Sequence, residues 1–325
     1  MRLTQTAIAL ALSLLTALPG HAQDAPAAAP SRSEDAGAYL AARVASAESD
    51  YRAALEWFSR ALAADPGNPQ LLDGAVISAM GSGDFEAGAQ LASELVAQGR
   101  RSQIADLALI VAEAKAENYA GLIDSLAKGQ SVGALFDGLV KAWAEAGRGD
   151  MSAALEAFDV VTKTAGMEVF GGYHKALALA SVGDFEGADR LLATEAMQPI
   201  RSLRRGVVAH AQILSQLERN PEAVALLDTI FVPGQDPAID ALRVRLSADE
   251  TVAYDIAISP QQGMAEVFYT LATALSGEAE NGYTLLYSRG AAWLRPDHTE
   301  AVLLSAGLLS SEGQFALAAE TYDSV

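Results

Sequence analysis

The chain of 325 residues contains no cysteine. That absence excludes disulfide staples, thiolate nucleophiles, Cys-ligated zinc and a lipid anchor on an N-terminal cysteine. Histidines are few and scattered. His174, His210 and His298 have no His or carboxylate partner at the i, i+4 spacing of a helix-borne zinc pair, so no metal site is expected. Cations are also scarce, with 22 Lys+Arg against 41 Asp+Glu and a formal charge of −19. Such a surface repels phosphate backbones and anionic headgroups, which argues against nucleic acid and membrane-surface partners. Aromatics reach only 6% while hydrophobic residues make up 51%, so the apolar content is mostly Ala, Leu and Val, suited to thin cores between closely packed helices.

Long apolar runs are missing too. The longest, Ala7 to Leu18, falls short of the ~20 residues a spanning helix needs. With Arg2 before it and Pro19-Gly20-His21-Ala22 after it, residues 1–22 read as a secretory signal peptide cut after Ala22. The expected product is exported, periplasmic and without a membrane span. Residues 23–35, rich in Ala, Pro and Ser, read as a disordered tether. No Gly-Xaa-Ser-Xaa-Gly elbow, phosphate-binding glycine loop or dinucleotide fingerprint occurs, and acids such as Glu113 and Glu117 read as a solvated helix face. Neither a catalytic residue nor a cofactor is expected.

What the chain does have is a period. Asp50-Tyr51, Asp84-Phe85 and Asn118-Tyr119 recur at 34-residue intervals, and Asp150-Met151 and Asp184-Phe185 continue the series, with Asn220-Pro221 and Gln314-Phe315 as further copies. Gly83, Gly149, Gly183 and Gly313 precede these pairs as turn residues, and the Asp or Asn is placed to cap the helix that follows. Small residues come soon after the pairs, at Ala54, Gly88, Ala154, Ala188 and Ala318, where two helices must approach closely.

Asp50-Tyr51-Arg52-Ala53-Ala54, with Phe58, Ala61 and Asp65-Pro66, resembles the second-helix half of the tetratricopeptide consensus, and Gly183-Asp184-Phe185-Glu186-Gly187-Ala188 is similar. The first-helix half departs from that pattern, with Ala38 or Leu72 where a large aromatic usually opens it. Phe136, Leu139, Val140 and Trp143 do fit a first helix. The resemblance implies an all-α, right-handed superhelical solenoid of helix-turn-helix repeats. Its array covers residues 36–232 and further repeats cover 264–325, where the chain stops at Val325 inside an expected second helix. The order of features also resembles that of exported tetratricopeptide proteins of alphaproteobacteria.

Between the two arrays, residues 233–263 read as an irregular interruption. Val252, Tyr254, Ile256 and Ile258 alternate with period two, bracketed by Pro233, Pro237 and Pro260. Two readings stand: a connector between arrays, preferred because long loops usually link elements, or an internal ligand lying in the groove. Binding in such solenoids is implied along the concave face of the first helices, here Tyr39, Arg43, Asp73, Ile77, Met80 and Tyr173. The expected function is a non-catalytic scaffold for periplasmic or outer-membrane-associated proteins, capturing peptides or helices in that groove, with a part in envelope assembly or export. The alternative is an accessory repeat region of an envelope enzyme or polysaccharide-export system whose active part lies beyond Val325. A small-ligand or glycan-binding module that uses the tyrosines and Trp143 as stacking surfaces is a third reading, set against Trp143 as a core plug. Arg201, Arg204 and Arg205, the one basic cluster, read as neutralising nearby acids.

Overall fold

The computed structural model describes Asp35 to Val325, and in these residues every regular element is helical. The leader, its cleavage site and all but the last residue of the tether lie outside the described residues. Six helix hairpins come first. They are α1 Ala36–Ala47 with α2 Tyr51–Ala64, α3 Pro69–Ser82 with α4 Phe85–Ala97, and α5 Gln103–Lys115 with α6 Tyr119–Ala127. Then follow α7 Ala134–Gly147 with α8 Met151–Thr162, α9 Glu168–Ser181 with α10 Phe185–Leu192, and α11 Arg204–Gln216 with α12 Asn220–Ile230. A lone helix, α13 Pro237–Ser247, precedes two last hairpins, α14 Pro260–Leu275 with α15 Asn281–Leu294 and α16 Thr299–Ser311 with α17 Phe315–Tyr322. The two helices of each hairpin pack on one another and successive hairpins of the array are joined by packing of neighbouring helices, which makes the described residues an α-solenoid of helix-turn-helix repeats.

Five of the seven recurring residue pairs act as the sequence implies, while Gln314 precedes α17 without a side-chain cap. Asp50, Asp84, Asn118, Asp150 and Asp184 each accept a hydrogen bond from the backbone N–H three residues on, at 2.8 to 3.2 Å, and so start α2, α4, α6, α8 and α10. A cap of this kind stabilises by about 1 kcal/mol. The turn before each cap needs a left-handed residue. Gly83 supplies it with φ +97°, while Ser49, Glu117 and Glu218 hold the same backbone region in units without a glycine. Ala54, Gly88, Ala154, Ala188 and Ala318 are all buried at helix crossings. The series breaks at Asn220: Arg219 takes the cap position, and the buried Asn220 amide instead donates to Asp249 Oδ1 and Glu250 O at 3.1 and 3.2 Å.

The expected irregular interruption at 233–263 is corrected by α13. Asp236 caps it through the N–H groups of Ala238 and Ile239, and its side with Ile239, Leu242 and Leu246 joins a small core with α11 and α12. It is therefore the first helix of a seventh unit with no second helix. After it the chain is extended, and the period-two reading holds for three of its four residues: Val252, Tyr254 and Ile256 are buried and Ile258 is exposed. No ladder forms. Gln216 donates to Val252 O, Val252 N–H donates to Ser215 Oγ, and Gln212 both donates to Asp255 Oδ1 and accepts from its N–H. These partners all sit on α11, so the strap that connects α13 to α14 runs along a first helix.

The chain then travels back along its own array. Helix α14 packs on α9, α7 and α5, α15 packs on α5 and α3, and α16–α17 meet the start of α2. Burial shows the consequence. Gly263 to Phe268 in α14 and Thr284 to Ser288 in α15 are buried at every consecutive position, a pattern that surface helices do not have. Phe268 meets Phe136 edge-on at 5.0 Å, and Trp293 stacks on Phe85 at 5.1 Å, so the last hairpins share one core with the array.

The tightest approach is Gly263 against Trp143. A Cβ on Gly263 would lie 2.3 Å from the fully buried indole, which has nowhere to retreat. Alanine here would gain up to about 1 kcal/mol in helix propensity, but overpacking costs about 1–3 kcal/mol. A 2.3 Å approach puts that cost at the upper end, about 3 kcal/mol, so Gly263→Ala is expected to lower the unfolding free energy by about 2 kcal/mol in urea titration and to speed proteolysis in 248–259. An unchanged or raised midpoint would show that α14 does not press on Trp143.

Candidate functional site

The residues expected to line the groove separate into two groups. Tyr39 and Arg43 on α1 and Ile77 on α3 are exposed. Asp73, half-buried on α3, accepts from the hydroxyl of Ser102, the cap of α5, and so ties two first helices together. Met80 and Tyr173 are corrections. Both are buried in the main core, Met80 against Gly88 of α4 and Tyr173 beside Glu266 and Tyr269 of α14. Trp143 is likewise no sugar platform: it is fully buried, edge-on to Phe158, and its Nε1–H donates to His174 Nδ1 at 3.2 Å.

A charged cluster, which the sequence shows only as isolated residues, fixes the filler to the array. Arg205 on α11 donates through Nε to both oxygens of Glu266 on α14, at 2.9 and 2.8 Å, and through Nη1 to Glu300 on α16 at 3.0 Å. Arg204 joins Glu300 at 2.6 Å to Asp236, the cap of α13, at 2.7 Å. Arg295 donates to Ile256 O at 2.6 Å and holds the end of the strap. Array, seventh-unit helix, strap and both last hairpins therefore meet at one point. The neutralising role expected of Arg204 and Arg205 holds, while Arg201 donates to Thr194 O.

Burial and partners set the charges of this cluster. Burial pushes the Glu266 carboxyl up, but Arg205 and then His298 outweigh it and hold the group at about 2. His298 Nδ1 accepts from the Ala301 N–H and starts α16, so its proton resides on Nε2, 3.3 Å from Glu266 Oε1. The Tyr173 hydroxyl is buried beside this pair without a hydrogen-bond partner, and burial followed by the Glu266 charge raises its pKa well above the usual value. His210 has a further structural task, pairing through Nε2 with Asp189 at 2.8 Å. Among the described residues, no group of three or more His, Cys, Asp or Glu side chains is arranged to hold a metal ion, and no helix is long and apolar enough to cross a membrane.

Among the described residues, the first end of the array carries exposed apolar side chains. Tyr39, Leu40 and Val44 on α1 are 47%, 64% and 50% exposed, with Arg43 on the same helix, and Ile77 is exposed on α3, which packs against α1. Leu40 and Val44 were not singled out from the sequence. Their spacing of four marks one helix face, which is indistinguishable in sequence from a buried face.

No protein-family model matches the chain, and no curated protein matches it. Among solved structures it is similar to a chain in "Structure of Naa15/Naa10 bound to HypK-THB", with 16% identity and a TM-score of 0.33. The match covers 87% of this chain and 56% of that one, so this chain spans about half the length of the chain it resembles, and at that score the likeness carries no functional argument.

Two buried groups give the fold an acid limit. Burial lowers His174 from 6.5 to about 4, against a smaller opposing pull from Glu266, so the unfolded chain takes up this proton first. Stability from the neutral imidazole is complete above pH 6.5 and is lost as pH falls toward 4, by roughly 3 kcal/mol. Glu266, depressed from 4.5 to about 2, adds a loss of similar size between those values. Urea unfolding from pH 8 to pH 3 is expected to show a plateau and then a continuous fall. His174→Gln, which keeps an acceptor for Trp143, should make the fall between 6.5 and 4.5 shallower, leaving the part that His210, also lowered by burial, contributes there, and should leave the fall below 4.5 unchanged. A variant profile parallel to the parent would contradict the assignment.

Proposed function

We propose that this protein is an exported, non-catalytic scaffold that binds peptides or helices of envelope proteins at the open first end of its array. The observation that carries the reading is the exposure of Tyr39, Leu40 and Val44 on α1, with Arg43 on the same helix and Ile77 exposed on the adjoining α3. Apolar anchors at helical spacing beside one cation suit the capture of an amphipathic segment. Residues 1–22, with their charged start, apolar run and small-residue cleavage site, support export to the periplasm. The non-catalytic part rests on the tasks already held by the reactive side chains: His174 accepts from Trp143, His298 caps α16, and Glu266 neutralises Arg205.

The self-filled groove alters where such a scaffold works. Partners are assigned to the rim on α1 and α3 rather than to the inner face, where Phe136 and Tyr173 already have neighbours in the core. The resemblance to exported alphaproteobacterial proteins points in the same direction, toward envelope assembly or export.

Proximity labelling from the full-length protein in the native host tests this, with a version lacking residues 1–22 as the compartment control. The parent should label a short, reproducible set of envelope proteins, and Tyr39→Ser combined with Leu40→Ser and Val44→Ser should reduce that set at least tenfold with unchanged helicity. Equal labelling by the triple variant, or by the leaderless version, would refute the reading.

A further inference from the structure

A second opening lies where the chain closes on itself. The α3–α4 turn, α15 and the α16–α17 hairpin enclose a cleft of about 400 Å³, the size of a small-molecule site. One wall is apolar: Phe85 and Trp293 stack at 5.1 Å with an interplanar angle of 15°, flanked by Val302 and Leu317. Arg289 of α15 reaches in from the other side.

Arg289 differs from the other arginines held inside the fold. Arg204, Arg205, Arg219 and Arg243 all meet carboxylates. Arg289 makes no ion pair among the described residues; its Nη2 donates to Thr321 Oγ1 at 3.3 Å, and its Nε is buried with no partner. Arg52, in the same cleft, is already neutralised by a two-pronged bond to Glu320. Gly83 supplies the room the guanidinium occupies, since a Cβ there would lie 2.5 Å from Nη1. Glu320 also lines the cleft and its charge reaches Arg289, but its oxygens are held by Arg52, so Arg289 is a partly buried cation with no direct ion pair among the described residues, in a chain with nearly twice as many acids as bases.

We propose that this cleft binds a small organic monocarboxylate, its carboxylate taken by the Arg289 fork and its aliphatic or aromatic body laid against the partly exposed Trp293, which the buried Phe85 backs. The planar guanidinium presents parallel donors that match a carboxylate. The apolar wall selects against anions without a hydrophobic body. Burial lowers the guanidinium pKa to about 10, which leaves it charged at neutral pH and raises the value of a counter-ion. The site is separate from the partner strip on α1, and its test is independent of that reading.

Calorimetric titration of the full chain decides it, with 3-phenylpropanoate, 3-phenylpropanamide and inorganic phosphate as probes. The carboxylate should bind at least tenfold more tightly than its amide or phosphate, as expected for charge-assisted hydrogen bonds. Arg289→Gln should reduce the carboxylate to the level of the amide. Ser324→Trp, which leaves Arg289 in place and substitutes an exposed residue at the cleft wall, should abolish binding without altering the circular dichroism. Equal affinity for acid and amide, phosphate as tight as the carboxylate, no carboxylate binding at all, or full binding by Arg289→Gln would each overturn the proposal.

Discussion

A row of two-helix units leaves its first helices facing a common hollow, and the free energy of the whole depends on what covers that face. Here the cover is the chain itself. Phe136 on α7 and Phe85 at the start of α4 find Phe268 and Trp293 from the last hairpins. Large apolar side chains gain about 1.5–3 kcal/mol each on burial, so opening the groove would expose several such groups together. A solenoid stabilised only by nearest neighbours becomes one in which residues more than a hundred positions apart share a core.

The polar part of the closure sets its register. Arg205, Glu266, Glu300 and Arg204 link α11, α14 and α16; within this cluster Arg205 and Glu266 form a buried pair, and removing either leaves the other uncompensated, at about 3–5 kcal/mol. Arg295 and the α11 side chains Gln212, Ser215 and Gln216 satisfy the backbone of the strap, which has no ladder of its own. At the opposite end Tyr51 donates to Glu312 at 2.9 Å and Gln314 to Glu48 O at 3.1 Å, so the C-terminal hairpin closes on the first unit.

The local rules of the fold were legible in the sequence because each depends on residues close together. Asp84 caps α4 and Gly83 turns before it for reasons contained in a few positions. Helix α13 was missed because its Pro237 was read as a bracket for an irregular stretch, whereas proline at a first turn after the Asp236 cap starts a helix. The filled groove was not legible. Consecutive burial at Gly263 to Phe268 is visible in retrospect as a run lacking a polar face, but Glu266 interrupts it, and its partner Arg205 lies 61 residues away. Met80 and Tyr173 were assigned to the correct helices and the wrong environment, since periodicity places a side chain on a face and does not say what covers it.

The central claim is that the last hairpins pack into the concave face of the array, and the contact between Phe136 and Phe268 tests it most directly. In a double-mutant cycle of Phe136→Leu and Phe268→Leu, measured by urea unfolding of the full chain, the edge-on pair predicts a coupling energy of about 0.5–1.5 kcal/mol. Additive effects, within about 0.3 kcal/mol, would show that α14 does not lie against α7 and that the groove is open.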